Sequence, residues 1–138
     1  MKILYHIIAI LVLSTFLYLF FVITDSLGTH HLAELLMNID FLPGFRHAGF
    51  FSSLLFHLGT STAVYIAFQC IKNSHFYPIG IIISIIMFGI LYPFLITMSV
   101  RSMFVFSWGD YAIWMLGHIL FLVLIDLSLR FEKNFTHH

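Results

Sequence analysis

Four long apolar runs, at about 3–24, 49–71, 77–100 and 109–131, dominate this sequence and leave it few ways to fold. Each holds the roughly 20 mostly apolar residues that cross ~30 Å of hydrocarbon as a helix. Backbone in lipid must satisfy its own polar groups, and runs of this length do so as helices. Composition agrees, because 61% of residues are hydrophobic and only 9% charged, against about 25% charged in a soluble domain. So little charge cannot clothe a water-facing surface. A net charge of zero gives no reason to expect nucleic acid as a partner; the partner is the lipid bilayer. The expected fold is an all-α membrane protein, one domain over 1–138 with four transmembrane helices in an antiparallel bundle.

The first run is longer than the 7–15 apolar residues of a cleaved signal peptide, and no Ala-x-Ala site follows it. It reads as an uncut anchor. With four spans both termini share one side, where Lys2, Lys72, Arg130 and Lys133 collect, while Arg46 and Arg101 fall on the other. The positive-inside rule then places both termini in the cytoplasm of a multi-pass inner-membrane protein. Asp25, Glu34, Asp40 and Asp110 gather on the outer side with His30, His31 and His47.

In the long outer connection, 25–48, Leu32, Leu35, Leu36 and Ile39 recur at the spacing of one helix face. A short amphipathic helix in the outer interface is expected, capped by Ser26 or Thr29 and ended by Pro43-Gly44. Gly59, Ala63 and Ala67 form a small-residue ridge on the second span, and Gly80 and Ser84 another on the third. Such ridges let helices approach closely in lipid, either inside the chain or in a homo-oligomer. Pro93 withdraws one backbone donor from the third span and frees the carbonyl of Gly89. Asp126 and Arg130 read as a local ion pair. Cys70 is the only cysteine, which excludes an intramolecular disulfide.

Histidine has no cheap place in hydrocarbon, and His57 and His118 lie deep inside two of the spans. Counted from Gly49 and Gly109, both sit roughly 12–14 Å below the outer surface. Ser53, His57, Thr60 and Ser61 form a polar stripe on the second span, and Asp110, Trp114 and His118 one on the fourth. The first span offers Ser14, Tyr18 and Asp25, and the third Tyr92 and Thr97. Lipid rejects such stripes, so they are expected to face one another around an outward-opening polar pocket.

Three chemistries use two histidines at one depth. A proton site uses their titration near neutral pH, in coupled steps if the rings are close. Haem b uses them as axial ligands, with Arg46 and Arg101 placed for its propionates; a quinone-binding anchor belongs to the same class. A closed metal site needs more ligands than two, and His30, His31 and Glu34 are the weak surface candidates. Simple hydrogen-bonded glue between helices is the bland alternative. No nucleophile–base–acid triad, phosphate loop or catalytic zinc motif stands out, so catalysis is not the leading expectation.

From Phe76 onward the chain resembles the C-terminal part of the YagU-type bacterial inner-membrane proteins. The carrying residues are Tyr77-Pro78-Ile79-Gly80, Trp108, Gly117-His118, Ile125 and Leu129-Arg130, with His57 as the deep histidine of the preceding span. The spacing from His57 to Tyr65 departs from the pattern, and the N-terminal half carries no match. The resemblance implies a small polytopic protein linked to acid resistance, without an established reaction, and supplies no catalytic residues. The reading that follows is a protein that senses, gates or passes protons or a small solute. His57 and His118 form its titrating pair, Asp110 stands at the entrance, and Ser53, Tyr92 and Tyr18 line the pocket, with no resident cofactor. The rivals are the haem or quinone anchor and an accessory subunit that docks a larger membrane partner.

Overall fold

The computed structural model describes residues 2–28 and 30–135, with side chains described through residue 132. Thr29 and the side chain of Lys133 therefore lie outside the described residues. Within them the chain is helical and contains no strand: α1 Lys2–Ser26, α2 Leu32–Leu36, α3 Phe50–Ile71, α4 Tyr77–Met98 and α5 Trp108–Phe135. α1, α3, α4 and α5 are each long and apolar enough to cross a membrane. The chain is built as a multi-pass membrane protein. α4 begins Tyr77-Pro78, where proline's missing N–H costs nothing.

α1 and α5 pack together most extensively; α4 lies on α5, and α3 lies on α1. The Tyr5 hydroxyl donates to the Ser128 carbonyl at 2.6 Å, while Phe21 stacks on Trp114 at 5.4 Å and 14°. The start of α1 thus lies beside the end of α5. Lys72 on Glu132 and Tyr77 on Asp126 bring the end of α3 and the start of α4 there too. We call this the terminal end, and the opposite one the distal end.

α1 and α5 approach closely at Gly117 of α5. A Cβ there would meet the rings of Phe21 and Phe20 at 2.8 and 2.9 Å. This crossing seats Phe21 and Trp114, both fully buried. Lipid tails are as apolar as these side chains, so close van der Waals packing holds the seam. The ridge expected from Gly59, Ala63 and Ala67 does not play this part. Ala63 and Ala67 are exposed, and a Cβ on Gly59 would meet nothing within 4 Å. Of the second ridge, Gly80 is close-packed, with its Cβ position 2.6 Å from Ile71. α3 and α4 meet there, at the terminal end, where Phe68 and Tyr77 also pair edge to face. Toward the distal end they stand apart.

α4 is keyed to α5 at the turn that Pro93 interrupts. The Trp114 indole donates to the Phe88 carbonyl at 3.0 Å, one residue before the carbonyl expected to be freed. Gly89 leaves room for the Tyr111 hydroxyl, which a Cβ would approach to 2.9 Å.

The expected amphipathic helix is a single short element, α2. Met37 ends it, because the Asn38 side chain then accepts the Asp40 backbone N–H at 3.3 Å in a local turn that competes with helix. Leu32, Ala33, Leu35, Met37 and Ile39 are buried, so the segment tucks into the distal end. Its cap is not Ser26, whose hydroxyl donates to the Ile23 carbonyl. The Asp25 carboxylate accepts the N–H groups of Leu32 at 3.0 Å and Ala33 at 2.8 Å. Asp25→Ala leaves both donors without this acceptor and is expected to cost about 1–2 kcal/mol. An unchanged thermal midpoint in detergent would show that the cap contributes nothing.

Candidate functional site

His57 and His118 line one cavity of about 230 Å³ between α3, α4 and α5. Both are buried, at 4% and 2% exposure. His57 Nε2 lies 3.1 Å from the Ser14 carbonyl of α1, and His118 Nδ1 lies 2.8 Å from the Trp114 carbonyl one turn back. A carbonyl only accepts, so each of these nitrogens carries a proton. In neutral rings His57 Nδ1 and His118 Nε2 are therefore acceptors. Neither has a hydrogen-bond partner among the described residues, and these are the ring nitrogens left for the cavity. Phe88 and Trp114 hold the His118 ring with centroids 4.4 Å away. Thr60, Ser61 and Asn38 add polar groups to a lining otherwise made of Phe, Leu, Val and Trp114.

The other expected pocket residues are placed elsewhere. Ser53 and Tyr18 line a separate distal cavity of about 240 Å³ with Glu34 and Arg101. Asp110 and Tyr92 line a third, of about 280 Å³, with His30 and His31. Asp110 contacts His30 closely through Nδ1, so it joins the first distal connection to the start of α5. Buried Tyr92 pins that same start, bridging the backbone of Ser107. The single expected pocket is thus three cavities. An α-helix turns about 100° per residue, so positions four apart drift about 40° per step. Ser53 and His57 consequently line different cavities.

The residues do not fit a haem held by both histidines. His57 offers its Nε2 to the α1 backbone, and three aromatic rings, Phe21, Phe88 and Trp114, surround His118. Arg101, expected near a propionate, faces Glu34 and Asp40 at 3.8 Å each. His31 pairs with Glu34 at 3.6 Å while His30 turns to Asp110, so the surface metal candidates do not converge.

A second polar site, at the terminal end, escaped the sequence reading. Glu132, 8% exposed, accepts from Lys72 at 2.5 Å and from Gln69 at 3.3 Å. His6 Nδ1 lies 2.9 Å from the Tyr65 hydroxyl; its Nε2 lies 3.4 Å from the Gln69 amide nitrogen and 3.5 Å from Glu132. His6 fits this network in two ways. With the proton on Nδ1 it donates to Tyr65 and accepts from Gln69. With the proton on Nε2 it turns that proton toward the Glu132 carboxylate, 3.5 Å away, and accepts from Tyr65. The signal was present, since Tyr65 and Gln69 continue the four-residue steps of Ser53, His57 and Ser61. His6 and Glu132 lie near the ends of their spans, where polar residues are ordinary, and drew no notice. The Asp126–Arg130 pair is formed at 2.8 Å, with Tyr77 of α4 donating to the same carboxylate.

Searches against protein families, curated proteins and solved structures find no match to the chain.

Proposed function

We propose that this chain is a proton-linked, non-enzymatic protein of a bacterial inner membrane, an antiparallel bundle with both termini in the cytoplasm. One observation carries the reading. Ser53, His57, Ser61 and Tyr65 are all buried, and Gln69 half-buried, at four-residue steps along α3. From Ser53 to Gln69 the file rises about 24 Å, most of the ~30 Å hydrocarbon thickness. Four-residue rows are the ridges along which neighbouring helices lie. α1 follows this one, with Ser14 opposite His57 and His6 opposite Tyr65.

The file starts at the distal cavity of Ser53, Tyr18, Glu34 and Arg101 and ends at His6, Glu132 and Lys72. Ionisable side chains at this depth, turned inward, are functional by default. Histidine alone among them titrates near neutral pH without perturbation. Successive steps of about 6 Å exceed hydrogen-bond reach, so transfer along the file uses side-chain rotation or bridging water. The cavity at His57, Ser61 and His118 gives room for both. The two arrangements of His6 supply a relay at the terminal end. The family resemblance adds a setting, protection against acid.

The test is proton entry into proteoliposomes across an imposed pH gradient, followed with a trapped pH-sensitive dye. The wild-type protein is expected to speed lumenal acidification over empty vesicles. The His57→Gln/His118→Gln double variant is expected to lose most of that gain, about tenfold or more, and exposed Arg130→Ala none of it. Wild-type vesicles no leakier than empty ones would overturn proton passage.

A further inference from the structure

We propose that the His57–His118 cavity binds the ring of a long-chain hydroquinone whose tail runs in the apolar groove between α3 and α4. The inference rests on the same cavity as the proton-linked reading but does not require proton passage. Three observations support it.

The first is hydrogen-bond polarity. Backbone carbonyls take one N–H of each histidine, leaving His57 Nδ1 and His118 Nε2 as acceptors. A ligand that pairs with both must donate. Hydroquinone hydroxyls donate; the carbonyls of the oxidised quinone only accept. The site therefore selects the reduced form.

The second is size and lining. A dry cavity of roughly 150 Å³ takes benzene, so about 230 Å³ admits a substituted six-membered ring. Phe56, Phe88, Trp114 and Phe121 supply aromatic surfaces around it. A charged phospholipid headgroup is a poor occupant so deep in the span, whereas a neutral phenol is a fitting one.

The third is continuity. Val64 and Phe88 line both this cavity and a groove of about 380 Å³ that runs toward the terminal end. The groove is almost wholly apolar, and Ala63 and Ala67 keep it open where larger side chains would fill it. The Gly80–Ile71 contact closes its terminal end, while Phe56 and Thr60 at the cavity are exposed on the lipid side. A ligand can enter sideways from the bilayer, head into the cavity and tail along the cleft. No electron transfer is proposed; the step is binding alone.

Trp114 lines the cavity and Trp108 is 75% exposed, so Trp108→Phe leaves one indole as a reporter. In detergent-solubilised full-length protein, 2-decyl-1,4-benzohydroquinone is expected to quench Trp114 fluorescence saturably. Its dimethyl ether keeps ring and tail but has no donor, and should bind about tenfold or more weakly, the worth of one buried hydrogen bond. His118→Leu should erase that preference. Ala67→Phe should weaken the decyl compound and leave tail-less hydroquinone unchanged; because Ala67 is exposed, this variant tests the groove without disturbing the core. Equal binding of hydroquinone and ether would overturn the proposal and leave the cleft as ordinary lipid space. Full binding by Ala67→Phe would overturn the tail assignment. Binding without proton flux sinks the proton-linked reading alone, and flux without binding sinks this proposal alone.

Discussion

Gly117→Leu is expected to unseat α1 from α5 and abolish the stable fold. Even a methyl at this position would sit 2.8 Å from Phe21 and 2.9 Å from Phe20, and Phe21 is itself fully buried against Trp114. Overpacking a tight site costs about 1–3 kcal/mol for extra methylenes. A leucine wedged at this close helix crossing belongs at the upper end or beyond, because α1 must shift bodily or lose the Phe21–Trp114 stack. The comparison is Gly59→Leu, which has open space and is expected to stay within about 0.5 kcal/mol of the parent. Thermal unfolding in one detergent measures both. Similar midpoints for the two variants would mean that the seam at Gly117 is not what holds α1 in place.

The second large effect is at the terminal end. Glu132→Leu is expected to destabilise the fold by about 3 kcal/mol, the low end for breaking a buried ion pair. It removes the acceptor shared by Lys72, Gln69 and His6 and leaves Lys72, whose side chain is 17% exposed, without its partner. The low end applies because lysine at a helix end can reach outward to water. Adding Lys72→Met should recover much of the loss, since a buried pair replaced by apolar side chains is often neutral. The double-mutant cycle reads the coupling directly. If Glu132→Leu alone costs under ~0.5 kcal/mol, the cluster is an ordinary surface pair and a poor terminal-end relay.

The spans were legible because length and apolarity are local properties. The observed helices end within a few residues of the expected ones, α1 running on to Ser26 and α4 stopping at Met98. His57 and His118, paired in the sequence by their counts from Gly49 and Gly109, do line one cavity. Rotation of each helix about its axis was not legible, because it is set by the neighbours. That is why Tyr18, Ser53, Tyr92 and Asp110 were gathered around one pocket and are spread over two others. The same gap misled the glycine reading. Gly59 carries the familiar small-residue spacing yet meets nothing, while isolated Gly117 carries a tight contact because bulky Phe20 and Phe21 lie opposite. The Asp25 cap was missed because it reaches across a turn to amides seven and eight residues on.

The pairing of α1 with α5 has a consequence for how the protein is made. α1 finds its most extensive partner only once α5 has been synthesised. Until then Phe21 has no Trp114 to stack on, and the seam at Gly117 is unformed. α1, α3 and α4 are then an unfinished assembly, without the helix on which both α1 and α4 pack. A nascent chain arrested before α5 should be cleared rapidly, and supplying that last helix as a separate polypeptide should rescue it.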